Sequence, residues 1–99
     1  MSYTVRYTKG AKEDLKRLYH FQLQRDIKMA RRARDEISKS IEFLKDFPFA
    51  CRKAMPDTPF LREILISFGS GGYVALFEIE NDEMITVLAV RHQREADYR

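Results

Sequence analysis

With 99 residues, 44% of them apolar and 12% aromatic, the chain has material for one compact core, and it is expected to form a single domain over residues 1–99. Cys51 is the only cysteine, which excludes an intramolecular disulfide and any zinc framework of paired cysteines; His20 and His92 lie far apart, so neither a metal nor another cofactor is expected. The net charge of +3 hides a split, 14 Lys and Arg against 7 Asp and Glu in residues 1–53 but 4 against 8 in residues 54–99, implying a basic face suited to nucleic acid or an acidic protein segment.

Tyr3-Thr4-Val5-Arg6-Tyr7 alternates apolar and polar residues and predicts a short half-buried strand. Thr8 can cap a following helix, with Glu13 and Asp14 placing negative charge near its positive end. Ala11, Leu15, Leu18, Tyr19 and Gln22 recur at spacings of three and four, which predicts a helix from Lys9 to Leu23. Near Gln24–Asp26 the phase of the stripe shifts, and Asp26 is a suitable cap for a second helix. Its apolar face is Ile27, Ala30, Ala33, Ile37, Ile41 and Leu44, and Phe47-Pro48 ends it because proline cannot continue the ladder. So short a link predicts an antiparallel helical hairpin.

Phe49 to Pro59 carries Pro56, Asp57 and Pro59 and reads as a loop. Phe60 to Phe68 then alternates, with Arg62, Ile64, Ile66 and Phe68 on one face and Leu61, Glu63, Leu65 and Ser67 on the other. Gly69-Ser70-Gly71-Gly72 is a turn. Tyr73 to Ile79 is apolar nearly throughout, as expected of a central strand covered on both sides, and after a turn at Glu80–Glu83 the segment Met84 to Val90 repeats the pattern. His92 to Arg99 reads as a polar tail. The expected architecture is α+β, in the order β-α-α-β-β-β, with the helical hairpin packed on a four-stranded, mostly antiparallel sheet.

The N-terminus lacks the apolar stretch of a signal peptide, and the longest apolar run is far short of the roughly 20 residues that span a bilayer. A cytoplasmic protein without membrane contact is expected. No phosphate loop, serine elbow, HExxH or carboxylate pair occurs; the four-residue glycine-rich segment joins two strands and opens no helix. Arg52 and Lys53 beside Cys51 could lower its thiol pKa, although a lone cysteine in a proline-bounded loop is more simply a small packing side chain.

The chemistry-bearing stretch is the end of the chain. Val90-Arg91-His92-Gln93-Arg94-Glu95-Ala96-Asp97-Tyr98-Arg99 passes from an apolar strand into arginines, a histidine and a tyrosine. Attack of a ribose 2′-hydroxyl on the neighbouring phosphate needs a base near neutral pKa, cations to hold the developing charge, and an acid for the leaving oxygen. His92 could be base or acid, Arg91 or Arg94 a phosphate clamp, and Tyr98 a stacking surface; Lys53 and Arg62 could add charge. The plainer reading is a tail whose charges pair with Glu95 and Asp97.

The element order, the segment Leu61-Arg62-Glu63-Ile64-Leu65-Ile66-Ser67-Phe68 with Gly69 to Phe77 behind it, and the close Val87-Leu88-Ala89-Val90-Arg91-His92-Gln93-Arg94-Glu95-Ala96-Asp97-Tyr98 resemble the RelE/ParE toxin superfamily, over the whole chain. The resemblance implies the toxin of a type II toxin–antitoxin (plasmid stabilisation) module, partnered by a cognate antitoxin in a toxin–antitoxin hetero-oligomer. Two targets follow from it. ParE-type members poison DNA gyrase, whereas RelE-type members are mRNA interferases that cut mRNA on the ribosome. Under the second reading the resemblance assigns catalysis to Arg62, Arg91, His92, Arg94 and Tyr98; under either, Lys53, Arg62 and Arg94 are target or nucleic-acid contacts. The sequence style is closer to ParE: Pro56, Asp57 and Pro59 stand where the nuclease branch has lysines, and the Arg94–Tyr98 spacing is shorter.

Overall fold

The computed structural model describes residues 2–95 and Tyr98. Its elements are β1 (Thr4–Tyr7), α1 (Lys9–Leu23), α2 (Ile27–Leu44), a 3-10 turn at Pro48–Ala50, β2 (Arg52–Lys53), β3 (Leu61–Phe68), β4 (Gly71–Ile79) and β5 (Met84–His92). Both helices start where their caps dictate. The Thr8 hydroxyl accepts the Ala11 N–H and the Asp26 carboxylate accepts the Lys28 N–H, each satisfying a backbone donor that the first turn leaves open.

The α+β class stands, with one correction to the sheet. Among the described residues it has five strands, in the order β1-β5-β4-β3-β2, because the proline-bounded loop contributes a two-residue edge strand in which Arg52 faces Glu63 and Lys53 faces Arg62. Two residues carry too little alternation to be visible as a strand; the pairing is imposed by β3. β3, β4 and β5 form the expected antiparallel meander, while β1 runs parallel to β5 with Val5 opposite Ile85 and Tyr7 opposite Val87.

The hairpin covers one face of this sheet, α1 against β5 and α2 against β3. Strand alternation sends Ile64, Ile66, Tyr73, Ala75, Phe77, Ile85, Val87 and Val90 into the interface, where Ala11, Leu18, Ala33, Ile41 and Leu44 meet them. Fully burying one such aliphatic or aromatic side chain contributes about 1.5–3 kcal/mol. Ile27 departs from the expected stripe and is exposed, since α2 begins at that residue and its inward face opens only at Ala30. On the opposite face Val74 and Ala89 are buried too, as the covered central strands require.

α1 continues the sheet where β1 stops. β1 pairs with β5 only as far as Val87, and at that level a bulge opposite Leu76/Phe77 inserts Leu88. The Thr8 hydroxyl donates to the Leu88 carbonyl at 3.0 Å, and the Asp14 carboxylate accepts the Val90 N–H at 2.9 Å. Asp14, expected to do no more than complement the helix dipole, is instead buried, 7% exposed, and serves as the ladder partner that the absent strand would have supplied.

Candidate functional site

β5 extends through His92, two residues beyond the expected end, and its alternation divides the chemistry-bearing stretch. His92 pairs with Tyr73 and points to the helical face; Arg91 pairs with Val74 and points to the other. The His92 ring stands edge-on to Tyr73 with 5.7 Å between centroids, and its Nδ1 accepts the backbone N–H of Arg94 at 3.0 Å. A neutral ring so engaged carries its hydrogen on Nε2. Burial lowers the His92 pKa below the ordinary imidazole value, the Arg94 guanidinium lowers it further, and Glu95 partly opposes them.

His92 and Arg94 line a cavity of about 350 Å³ together with Arg25, Gln22 and the Gly69–Gly71 turn. Arg25 reaches it from the link between the helices and was not among the expected site residues. The signal for it was the helical hairpin itself, which must bring that link beside the end of the meander. Arg17, close by, is held by Glu95 at 2.9 Å and by Asp14 at 3.8 Å.

Across the sheet, Arg91 donates to the carbonyls of His92, Gln93 and Glu95 at 3.3, 3.4 and 2.8 Å, and its guanidinium lies 5.0 Å from the Tyr98 ring centroid. The Tyr98 hydroxyl donates to Glu63, which also binds Arg52 at 3.0 Å. Tyr98 therefore spans from β5 across β4 to β3. Burial raises its phenol pKa far above the usual range, and the adjacent Glu63 carboxylate raises it further. Glu63 escaped the sequence reading, although alternation had placed it on the outward face of β3. Ala96, Asp97 and Arg99, which belong to the same stretch, lie outside the described residues.

Arg62 occupies the far end of the molecule. It donates to the carbonyls of Pro59, Cys51 and Phe49 at 2.8, 2.7 and 3.3 Å and covers the Phe49 ring at 5.2 Å, binding the loop before β3 to the sheet. Its register partner on β4 is Phe77, four residues from the Tyr73 that faces His92. At about 3.3 Å per residue this puts the two some 13 Å apart along the strand, on opposite sides of β4. Lys53 is exposed on the edge strand beside Arg62. Burial raises the Cys51 thiol pKa, with Arg62 opposing, so the expected alternative of an activated thiol gives way to the packing role. Arg62 and Lys53 thus share one end, His92 and Arg94 the other, and Arg91 and Tyr98 the opposite face.

A second concavity of about 380 Å³ runs along the hairpin, floored by Leu15, Leu18, Ala33, Ile37 and Ile41. Lys12, Lys16 and Arg34 rim it, and Arg34 lies 5.7 Å from the Tyr19 ring centroid. Among the described residues no helix is long and apolar enough to cross a membrane, and no group of His, Cys, Asp and Glu could hold a metal ion.

The helical hairpin over a mixed sheet is the fold of a solved chain described as "Chromosomal ParDE TA system from P. aeruginosa". The likeness has a TM-score of 0.69 at 17% identity and covers 92% of this chain and 96% of that one. No curated protein sequence matches the chain. The molecule thus has the α+β fold of that chain. The family model for the ParE toxin of the type II toxin–antitoxin system, parDE, matches residues 5–97, and the chain belongs to that family.

Proposed function

We propose that this ParE-type toxin inhibits growth in the cytoplasm by poisoning DNA gyrase, and that a cognate antitoxin neutralises it in a hetero-oligomer. One observation carries the choice of target: the residues a nuclease would need are dispersed. Cutting RNA requires base, acid and cations within reach of one phosphate. Arg62 directs its donors to three loop carbonyls, some 13 Å along the sheet from His92. Arg91 and Tyr98 lie on the other face beside the Glu63 carboxylate, which repels a phosphate. This distribution favours a surface that binds over a centre that cuts.

Neutralisation is supported by the hairpin groove. Its apolar floor and rim of Lys12, Lys16 and Arg34 match an amphipathic, acidic segment that folds as it binds. Gyrase supercoiling and cell-free translation, run side by side with purified toxin, test the target. The expected result is inhibited supercoiling with cleaved DNA accumulating, translation untouched, and relief on adding antitoxin. Collapse of translation with gyrase unaffected would overturn the proposal in favour of mRNA cleavage on the ribosome.

A further inference from the structure

The cavity between the helix link and the β3–β4 turn gathers more positive than negative charge, Arg25 and Arg94 against Asp26. Three arginines meet carboxylates, Arg6 with Glu80 at 2.8 Å, Arg17 with Glu95 at 2.9 Å and Arg52 with Glu63 at 3.0 Å. Arg25 and Arg94 line this one cavity, and among the described residues neither makes an ion pair or donates a side-chain hydrogen bond. Asp26 also lines the cavity, its carboxylate accepting the Lys28 N–H at 2.8 Å as the cap of α2, and Glu95, which lines the adjoining cavity, holds Arg17 at 2.9 Å. His92 adds a third donor, because its Nδ1 is occupied by Arg94 N–H and its hydrogen lies on Nε2. Gly71 keeps that atom open: a Cβ there would sit 3.5 Å from Nε2. The cavity continues past Arg25 and His92 into a second of about 380 Å³, where Phe21 stands 55% exposed with the Arg25 guanidinium 5.9 Å from its centroid.

We propose that this cleft binds a backbone phosphate of single-stranded nucleic acid, with Arg25, Arg94 and His92 Nε2–H as donors and Phe21 as the platform for the adjoining base. Two forked guanidiniums and one N–H converging from separate elements suit the several acceptor oxygens of a phosphodiester, and an exposed ring beside the charge gives an unpaired base a face to stack on. The inference goes beyond gyrase poisoning and does not depend on it, since binding is measured on the isolated toxin with no gyrase present.

The test is fluorescence anisotropy of a labelled oligothymidylate about twelve nucleotides long, a length within the reach of one small domain. Arg25→Ala/Arg94→Ala is compared with Lys28→Ala/Arg31→Ala, which removes equal charge from the exposed side of α2, and thermal melting confirms that both fold. The first pair should weaken binding at least about tenfold and flatten the salt dependence by about 0.7 in log–log slope for each phosphate no longer neutralised; the second should change affinity less than about threefold. Inorganic phosphate titrated into the unmodified chain should shift the His92 imidazole resonances, a readout that needs no variant. Absent oligonucleotide binding, equal loss in both pairs, an unmoved His92, or displacement by polyglutamate as effective as by unlabelled oligothymidylate would each overturn the proposal, the last by reassigning the cleft to an acidic protein segment.

Discussion

Replacing Asp14 with alanine should destabilise the fold far more than an ordinary helix substitution. The carboxylate is 7% exposed, accepts the Val90 N–H at 2.9 Å and lies 3.8 Å from Arg17. Its removal strands a donor on β5 at the point where β1 has already left the sheet. A hydrogen bond to a charged group contributes about 1.5–3 kcal/mol, and a buried backbone N–H without a partner costs a similar amount, so a loss of about 2–3 kcal/mol is expected. At roughly 0.2 kcal/mol per kelvin of unfolding entropy for a chain this size, that is a fall in Tm of about 10–15 °C. Urea unfolding followed by circular dichroism gives the free energy, with an unchanged m-value certifying that the compactness of the end states is unaltered. Asp14→Asn keeps an acceptor for Val90 while discarding the charge near Arg17, and should lose less than half as much. An alanine variant within about 0.5 kcal/mol of the parent would refute the role given to Asp14. So would equal losses in the two variants, which would place the energy in the ion pair.

The remaining predictions concern the turn, the loop and the histidine. Gly72→Ala puts a Cβ 2.0 Å from the Ile66 carbonyl oxygen, a backbone atom that cannot move aside, so it should cost at least about 3 kcal/mol in urea melts, against about 1 kcal/mol for Gly69→Ala, where only the positive φ of 60° objects. Arg62→Ala should speed amide exchange in the loop over residues 50–58 while leaving β4 and β5 protected, because the three carbonyls it holds belong to that segment and its two flanks. His92 should titrate by NMR with a midpoint below about 6.5. Its depressed folded pKa means the unfolded chain binds the proton more tightly, so the stability it contributes is present above about pH 6.5 and is lost as pH falls through the folded pKa; His92→Gln should flatten that acid slope.

The helices were legible because their signals are local. Thr8 and Asp26 cap them, Pro48 follows the second, and each apolar stripe keeps its period over several turns. The meander was legible because Ile64, Ile66 and Tyr73 to Ile79 declare their burial in a few consecutive residues. What escaped was set by tertiary pairing: a two-residue edge strand, a bulge at Leu88, and a carboxylate drafted from a helix into a sheet. The candidate site shows the same divide. Arg91, His92, Arg94 and Tyr98 are neighbours in sequence, which suggested one cluster. Two further residues of β5 put Arg91 and His92 on opposite faces, and Arg62 is drawn to the far end by its loop. Arg25 could emerge only once the hairpin had folded its link back beside the end of β5.

The parallel pairing of β1 with β5 has a consequence for the toxin's own synthesis. Arg6 and Thr86 meet across a sequence separation of 80, and among the described residues β1 has no other strand beside it. β1 must therefore wait until β5 has been made before its backbone is paired, and closing so long a loop is the slow event of assembly. A nascent chain keeps β1 unpaired until β5 has left the ribosome, and a message cut short before Met84 leaves the sheet unfinished.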